Sequence, residues 1–295
     1  DGAFEEQRGT DWAPRWWRHD DCGLSSPIMI LNGRRIDQRT TMGMSGGTSW
    51  FKKHLKLNGF DPIEFDGRDP AAFVWAILEM ERRLESSPRR YPVPFPYGMA
   101  VTVKGYGFPG SGTNAAHNLP IGSTVGPELL ELFNRGARGL HVPPQELAAA
   151  ASLFQRHRGR PRERDHALAV RDCAPPKSSE PAGAAGGAKA SPMDALDEAF
   201  VALCRDNPRL RPRVGNPDEM RSNRMNKTLD FLKHRVTEPE KGAAESVTGG
   251  VITALNEEAV VSAALANKGG LGLTVTYEAF GTKMHGALRQ EIIFT

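Results

Sequence analysis

Apolar residues in the first half of the chain form two kinds of pattern, short unbroken runs and longer stretches at helical spacing. Residues 28–31 (Ile-Met-Ile-Leu) and 99–103 (Met-Ala-Val-Thr-Val) are runs with the length of a buried strand. Between them, Asp69 and Pro70 supply the N-cap and the first-turn proline that commonly begin a helix. Four apolar residues then share one predicted helix face: Phe73, Ile77, Met80 and Leu84. A strand, a helix and a strand in this order predict a parallel α/β sheet.

The second half of the chain shows the same alternation of helical and strand patterns. Ser191, Pro192 and Asp194 predict a helix start, because they supply a cap, a first-turn proline and a first-turn acid. Its apolar stripe continues with Leu196, Phe200 and Leu203. Three further elements are predicted downstream: a strand over 251–255, a helix over 258–266 that ends at the glycines of 267–270, and a strand over 273–276.

Residues 174–190 are rich in proline, glycine and alanine and contain almost no large apolar side chain. Such a segment cannot offset the entropy cost of ordering by burying apolar surface, so it predicts an interdomain linker. We therefore expect two α/β domains, one over residues 1–173 and one over residues 191–295. Because ligands of open α/β sheets bind beyond the carboxyl ends of the strands, the residues that follow the predicted strands are the first candidates for a site.

The composition is that of a soluble globular protein, with 39% hydrophobic and 25% charged residues. No apolar run approaches the roughly 20 residues that a membrane-spanning helix needs, which excludes that class. Cys22, Cys173 and Cys204 form no CxxC pair, so neither a zinc ribbon nor a disulfide framework is indicated. A cytoplasmic location fits this cysteine usage. Since the chain has no starting methionine and no signal-peptide pattern, we expect it to be an internal piece of a longer protein.

Arginines are concentrated in residues 156–164, although the net charge of the chain is only +3. A basic segment of this kind either binds nucleic acid or forms a solvated surface before the linker. No aromatic residues are interleaved with the charges to stack on bases, which favours the solvated surface.

Asn32 and Gly33 directly follow the strand predicted at 28–31. Together with Asp1 and Gly2 they resemble the Mg²⁺-diphosphate signature of thiamine-dependent enzymes. Mg²⁺ prefers oxygen ligands and is usually held by one or two protein groups beside phosphate oxygens. The resemblance implies that the Asp1 carboxylate, the Asn32 amide oxygen and the Arg34 carbonyl oxygen are the protein ligands. The alternative is a turn, which Asn-Gly commonly forms after a strand.

A glycine-rich loop over residues 104–120 follows the second predicted strand. It begins with Lys104 and contains four glycines and His117. Glycines let the backbone approach a phosphate closely, and a lysine supplies a point charge there. For His117 the alternative is a polar surface residue.

Three segments of the second half also carry candidate chemistry. In residues 216–225, the Ser222 hydroxyl and the Arg224 guanidinium suit a phosphate dianion, although solvated arginines behind an acidic helix start are the alternative. Glu257 follows a predicted strand, where a carboxylate meets a ligand rather than the core. Tyr277 and Phe280 form an aromatic pair after the last predicted strand, and the alternative for them is core packing.

These segments, in this order, resemble the phosphoketolase family of thiamine-diphosphate enzymes. Residues 116–120 resemble the family's Ala-His-Gln-Val-Pro segment, and residues 216–225 its Pro-Asp-Glu-Thr-x-Ser-Asn-Arg-Leu segment. Residues 255–258 occupy the place of Leu-Ser-Glu-His, and residues 277–280 match Tyr-Glu-[Ala/Ser]-Phe. The resemblance implies a thiamine-diphosphate-binding fold, with the C-terminal part of the diphosphate-binding domain at 1–173 and the N-terminal part of the aminopyrimidine-binding domain at 191–295.

The resemblance also implies the cofactors, thiamine diphosphate and Mg²⁺, and the role of each candidate residue. Glu257 and His117 would be catalytic, with Glu257 at the aminopyrimidine N1′ and His117 at the reacting carbon. The cofactor would be bound by Asp1, Gly2, Asn32, Lys104, Tyr277 and Phe280, with Arg34 at the metal. Ser222 and Arg224 would bind the substrate phosphate.

The implied reaction is that of an aldehyde-lyase, in which inorganic phosphate and a ketose phosphate such as xylulose 5-phosphate give acetyl phosphate and an aldose phosphate. A homodimer or higher homo-oligomer is implied, without a nucleic-acid or membrane partner. The chain departs from the family in its glycine-rich loop, at residues 3–4 and at Glu258, where phosphoketolases have histidine. Transketolase-like transfer, sugar-phosphate epimerisation and a piece that is inactive on its own stay open as alternatives.

Overall fold

A computed structural model describes residues 13–22, 27–117, 126–158, 191–267 and 270–294. These residues form two compact units. The first unit contains the described residues between 24 and 162, and the second those from 191 onward. Residues 15–22 belong to the second unit, although the first unit follows them in the chain. The predicted linker at 174–190 lies outside the described residues, so the predicted domain boundaries stay a prediction.

The first unit is built on a parallel sheet of three strands, as the sequence predicts. After the short helix α1 (Ala13–Trp16), its elements are β1 (Ile28–Leu31), α2 (Thr41–Met44), α3 (Thr48–Leu57), β2 (Phe60–Asp66), α4 (Pro70–Ser86), β3 (Phe95–Val101), a 3₁₀ turn (Asn114–His117), α5 (Pro127–Gly139) and α6 (Pro144–Arg158). The strand order is β1-β3-β2. The central strand β3 is buried from Phe95 to Ala100, which explains its continuous apolar sequence.

Helix α4 begins where the sequence predicts. The Asp69 side chain caps it by accepting a hydrogen bond from the Ala71 backbone N–H at 2.9 Å. Met80 and Leu84 are fully buried, but Ile77 is 44% exposed and Ala76 takes its place in the core. The prediction for Ile77 was wrong because the buried stripe of α4 runs through residues 76, 80 and 84, and the helix period places Ile77 at the edge of that stripe.

The second unit is built on a parallel sheet of five strands in the order β6-β5-β7-β4-β8. Its elements are α7 (Pro192–Asp206), a 3₁₀ turn (Pro208–Leu210), β4 (Arg213–Gly215), α8 (Asn226–Leu232), β5 (His234–Arg235), β6 (Glu245–Ser246), β7 (Val251–Ile252), α9 (Glu257–Leu265), β8 (Gly272–Thr274), a 3₁₀ turn (Glu278–Met284) and α10 (His285–Phe294). One core lies around Val214 and Val251, and a smaller one packs α9 against α10.

Residues 15–22 are held to the second unit by buried arginines. Arg18 donates from Nε to the Val247 carbonyl at 2.6 Å and from Nη2 to the Val236 carbonyl at 3.0 Å. Arg235 donates to the Trp16 carbonyl at 2.9 Å. Because these bonds join residues far apart in sequence, the local sequence pattern carries no signal for them.

The basic segment predicted at 156–164 is described only in its first residues. Arg156, His157 and Arg158 are exposed in the last turn of α6, where cations complement the negative end of the helix dipole. Residues 159–164 lie outside the described residues. In the part of the chain that the structure describes, no helix is both long and apolar enough to cross a bilayer.

Candidate functional site

The carboxyl ends of three adjacent strands of the second unit bring the predicted residues of that half together. Strand β4 lies between β7 and β8, so the segments that follow these strands share one edge of the sheet. Asp218 follows β4, Glu257 follows β7 and Tyr277 follows β8. We call these residues the carboxyl-edge site, together with Ser222 and Arg224 after β4 and Phe280 after β8.

Asp218, which the sequence analysis left without a role, joins two of these segments. Its Oδ2 accepts hydrogen bonds from the Thr276 hydroxyl at 2.6 Å and from the Tyr277 backbone N–H at 3.0 Å. A carboxylate that accepts two hydrogen bonds holds its donors strongly. Asp218 therefore fixes the start of the aromatic segment against the segment after β4. The sequence feature that could have pointed to Asp218 is its place in the Pro-Asp-Glu segment at 217–219.

Ser222 lies in contact with that aromatic segment. Its hydroxyl donates to the Glu219 carbonyl at 2.9 Å and is also hydrogen-bonded to the Tyr277 phenol. Because a serine hydroxyl has only one hydrogen, Tyr277 is the donor in the second bond. No helix begins at the acidic residues, since α8 begins at Asn226, while Arg221 and Arg224 are exposed as the alternative of solvated arginines expects.

Arg224 is placed by an unusual backbone conformation. Its φ is +60°, a left-handed value that non-glycine residues rarely adopt. Its Nε lies 3.2 Å from Asp194 Oδ1, and about half of each side chain is exposed. An exposed pair of this kind is weak, typically less than about 1 kcal/mol, so the guanidinium remains free to bind an anion.

Glu257 is the first residue of α9. The helix is capped by Asn256, whose Oδ1 accepts from the Ala259 backbone N–H at 3.1 Å. Only 14% of the Glu257 side chain is exposed, and its Oε1 lies 3.4 Å from Lys283 Nζ. The helix approaches the sheet closely because β4 ends in Gly215, where a Cβ would lie 2.6 Å from the Val260 carbonyl oxygen.

Glu258, the residue that replaces the family's histidine, has a different environment. Its side chain is exposed and lies over the start of α10. A Cβ at Gly286 would be 2.3 Å from Glu258 Oε1, so the glycine makes room for this carboxylate. The two adjacent glutamates therefore have unequal surroundings, and Glu257 is the more buried.

Tyr277 and Phe280 do not pack in the core. Their exposed fractions are 41% and 37%, and their rings meet edge to face at a centroid distance of 6.4 Å. Lys283 Nζ lies 5.0 Å from the Phe280 ring centroid. An exposed aromatic pair at the carboxyl edge of a sheet offers a surface on which a planar ring can stack.

Asn216 adds a buried amide to this edge. It is fully buried, and its Nδ2 donates to the Val275 carbonyl at 2.8 Å. Within the described residues, its Oδ1 has no hydrogen-bond partner. An unsatisfied buried acceptor costs free energy. Such an atom is typical of a site whose ligand donates a hydrogen bond to it.

In the first unit, the residues after β1 form a turn, as the alternative interpretation expects. Asn32 Oδ1 accepts from the Arg34 backbone N–H at 2.9 Å, and Gly33 has a φ of +75°. An amide oxygen has two lone pairs, so this bond leaves Asn32 one acceptor position for a cation. The turn and the metal role are therefore compatible.

The glycine-rich loop packs against that turn. Its four glycines all have positive φ, at 70°, 82°, 85° and 76°, so the loop depends on them. Lys104 Nζ donates to the Arg35 carbonyl, and Arg34 Nη1 donates to Asn114 Oδ1 at 2.6 Å. The carboxyl ends of β1 and β3 thus bring Asn32, Arg34 and Lys104 into one group.

Three predicted residues of this half are less informative. His117 is exposed at the end of the 3₁₀ turn. Asp1 and Gly2 lie outside the described residues. Among the described residues, no group of three or more His, Cys, Asp and Glu side chains could hold a metal ion. The donors that remain, an amide oxygen and a backbone carbonyl, suit Mg²⁺ bound largely through phosphate oxygens.

Solved structures with a similar fold include transketolases. One, from Leishmania mexicana, is 18% identical with a TM-score of 0.50, and the match covers 90% of this chain and 40% of that one. Another, from Campylobacter jejuni, is 16% identical with a TM-score of 0.51 and covers 89% and 40%. These likenesses confirm the predicted α/β fold of thiamine-diphosphate enzymes. The chain spans about 40% of the length of these transketolases.

A comparison with sequence families gives a more specific result. A search of curated proteins found no match. Residues 194–295 match the model of the family described as D-xylulose 5-phosphate/D-fructose 6-phosphate phosphoketolase. This range contains the whole carboxyl-edge site. The phosphoketolase resemblance that the sequence predicts is therefore confirmed over residues 194–295.

Proposed function

We propose that the chain is part of a thiamine-diphosphate-dependent enzyme that cleaves a ketose phosphate with inorganic phosphate. The observation that carries this proposal is the carboxyl-edge site. There, the half-buried Glu257, the exposed pair Tyr277 and Phe280, and the Ser222–Arg224 segment lie on one sheet edge, within the range that matches the phosphoketolase family. Residues 1–173 would supply part of the diphosphate-binding domain and residues 191–295 part of the aminopyrimidine-binding domain.

Glu257 and the aromatic pair would hold the aminopyrimidine ring. Phe280 would stack on the ring, Tyr277 would lie beside it, and the Glu257 carboxyl would hydrogen-bond to N1′. Low exposure of Glu257 keeps water from competing for that bond. When bound, the cofactor supplies an electron sink for cleavage of the bond beside the ketose carbonyl.

The first unit would hold the diphosphate and its metal. Asn32 Oδ1 and the Arg34 carbonyl oxygen would bind Mg²⁺ together with Asp1, and Gly2 would lie beside the diphosphate. Lys104 supplies a positive charge next to them. The contact of Lys104 with the Arg35 carbonyl supports this grouping, because it places the ammonium beside the Asn32 turn.

Ser222 and Arg224 would bind the substrate phosphate, and His117 would transfer protons at the reacting carbon. The Ser222 hydroxyl and the Arg224 guanidinium are both exposed at the carboxyl edge. A guanidinium and a hydroxyl bind a phosphate dianion through short, charge-assisted hydrogen bonds. The observed pairing of Arg224 with Asp194 is weak enough for a dianion to displace it.

The active protein would be at least a homodimer, with Asp1 and Glu257 of different subunits serving one cofactor. Mixing an Asp1→Ala protein with a Glu257→Ala protein tests this arrangement. We expect the mixture to recover part of the activity that each variant lacks. A mixture that stays inactive, although both variants fold and associate, contradicts the shared site.

The reaction itself is tested by its products. The complete protein is incubated with xylulose 5-phosphate, inorganic phosphate, thiamine diphosphate and Mg²⁺, and we expect acetyl phosphate and an aldose phosphate. The second candidate is transketolase-like transfer, which the replacement of the family's histidine by Glu258 favours. Longer ketose phosphates, formed from an added aldose phosphate without consumption of inorganic phosphate, would establish that candidate instead.

A further inference from the structure

The amino-terminal edge of the second sheet carries a cleft that the proposed function does not use. Its volume is about 750 Å³. It lies at the ends of α7 and α8 and at the starts of β4, β5 and β7. The cleft is lined by six side chains that can donate hydrogen bonds: Arg205, Arg211, Arg213, Lys233, Ser246 and Thr248. We call it the basic cleft.

Positive charge exceeds negative charge in the basic cleft. Among the described residues that line it, Asp21 is the one carboxylate, and Asp21 is also bound by the fully buried Arg235 behind the cleft. Asp21 also pairs with Arg213 at 3.0 Å, so the exposed Arg205 and Lys233 are the cleft cations considered for a ligand. The C-terminal ends of α7 and α8 contribute about half a negative charge each. Arg205 and Lys233 together carry more positive charge than these two helix ends balance.

Two of the cations are available to a ligand. Arg205 and Lys233 are exposed, and neither has a carboxylate partner in the part of the chain that the structure describes. The Arg205 guanidinium lies 5.5 Å from the Phe231 ring centroid, a contact that orients it without neutralising it. The hydroxyls of Ser246 and Thr248 share one hydrogen bond of 3.2 Å, so one hydroxyl hydrogen remains to be donated.

We propose that the basic cleft binds a phosphate group, as free phosphate or as part of a small phosphorylated molecule, in addition to any phosphate bound at Ser222 and Arg224. Guanidinium forks and a hydroxyl donor match the tetrahedral oxygens of phosphate. The two exposed cations, Arg205 and Lys233, favour a group that carries close to two negative charges at neutral pH over a singly charged carboxylate.

Calorimetric titration of the purified protein tests the proposal, with inorganic phosphate and glycerol 3-phosphate as separate ligands at constant ionic strength. The two ligands distinguish free phosphate from a phosphate ester. Titrations in an Arg224→Gln background remove the contribution of the carboxyl-edge site. Arg205→Gln in that background removes a cleft cation, and Arg209→Gln removes an exposed arginine outside the cleft as the matched control.

We expect phosphate binding to persist in Arg224→Gln and in Arg224→Gln/Arg209→Gln, and Arg205→Gln to weaken it at least about tenfold. Unchanged thermal unfolding would show that the loss is local, since Arg205 is exposed. Three results would overturn the proposal: no binding in the Arg224→Gln background, equal weakening by Arg205→Gln and Arg209→Gln, or equal affinity for a monovalent anion such as acetate. Absence of binding in the Arg224→Gln background would assign the phosphate binding to the carboxyl-edge site, whereas failure of that site would appear as unchanged binding in Arg224→Gln alone.

Discussion

The Tyr277 phenol donates a hydrogen bond to the Ser222 hydroxyl, although the two residues are 55 positions apart. The bond joins the segment proposed to bind the substrate phosphate to the segment proposed to stack on the cofactor ring. Asp218 joins the same two segments through Thr276 and the Tyr277 backbone. Substrate binding and ring stacking therefore depend on one hydrogen-bonded group of residues.

Replacing Tyr277 with Phe tests this connection. The ring is retained for stacking, while the Ser222 hydroxyl loses its donor and gains freedom to rotate. A neutral hydrogen bond contributes about 1 kcal/mol, so we expect KM for the ketose phosphate to rise about fivefold with little change in cofactor affinity. Steady-state kinetics and cofactor titration measure the two effects. Tyr277→Leu is the control, because it also removes the ring and should weaken cofactor binding. Loss of cofactor affinity in Tyr277→Phe would show that the hydroxyl serves the cofactor instead.

The sequence predicted those features of the fold that local chemistry determines. The starts of α4 and α7 were found because Asp69 and Ser191 cap the helices that follow them. Strand β7 was predicted to extend to residue 255 but ends at Ile252. Strand β5 was missed because His234 and Arg235 form no apolar run, and its pairing comes from neighbouring strands.

Long-range features of the candidate site were beyond the sequence analysis. The positions of Glu257, Tyr277 and Phe280 after strands could be predicted, but the order of strands that brings them together could not. The joining role of Asp218 depends on that order. Asp21 lies 192 positions from Arg213, and its pairing carries no local signal.

Asp21 provides a prediction about stability. Its carboxylate binds Arg213 at 3.0 Å and also the fully buried Arg235. Asp21→Asn leaves both guanidiniums without a counter-charge, so we expect the free energy of unfolding to fall by about 3 kcal/mol. Denaturant unfolding at neutral pH measures the change. The control is Asp230→Asn, which breaks an exposed pair with Arg221 and should cost less than about 1 kcal/mol. Equal effects of the two substitutions on the free energy of unfolding would contradict the role of Asp21 as the counter-charge of Arg213 and Arg235.

The pH dependence of stability gives a second test of the same residue. Burial alone would raise the pKa of Asp21, but the hydrogen bonds and charges of Arg235 and Arg213 outweigh it and hold the pKa below the usual range of an aspartate. The native state therefore binds this proton less readily than the unfolded state. The stabilisation is fully present above the unfolded pKa and is lost as pH falls through the folded pKa. We expect Asp21→Asn to flatten the loss of stability below about pH 4, and an unchanged slope would exclude Asp21 as its source.

Asn32 provides a prediction about the metal. Asn32→Leu keeps the size of the side chain but removes the oxygen, and we expect Mg²⁺ and thiamine diphosphate to bind at least tenfold more weakly in the complete protein. Because Leu also removes the hydrogen bond to the Arg34 N–H, Asn32→Asp is the matched control that keeps an acceptor. Calorimetry with both cofactors together measures the affinity. Unchanged affinity in Asn32→Leu would remove Asn32 from the metal site.

Glu257 distinguishes a catalyst from a protein that merely shares the fold. Glu257→Gln keeps the size and one acceptor but removes the acidic proton, so we expect cofactor affinity to fall modestly. Proton exchange at the cofactor's C2 should slow by about 10²–10⁴-fold, the usual contribution of general acid–base assistance. NMR of the exchange in the complete protein measures the rate.

The neighbouring carboxylate is the control for that experiment. Glu258→Gln alters an exposed side chain that lies over Gly286, whereas only 14% of the Glu257 side chain is exposed. A carboxylate shielded from water exchanges a proton with a bound ring more effectively than a hydrated one, because water does not compete for the hydrogen bond. We therefore expect Glu258→Gln to leave C2 exchange within a few-fold of the unmodified protein. A larger loss in Glu258→Gln than in Glu257→Gln would assign the role to Glu258, and normal exchange in both would remove the catalytic proposal for this sheet edge.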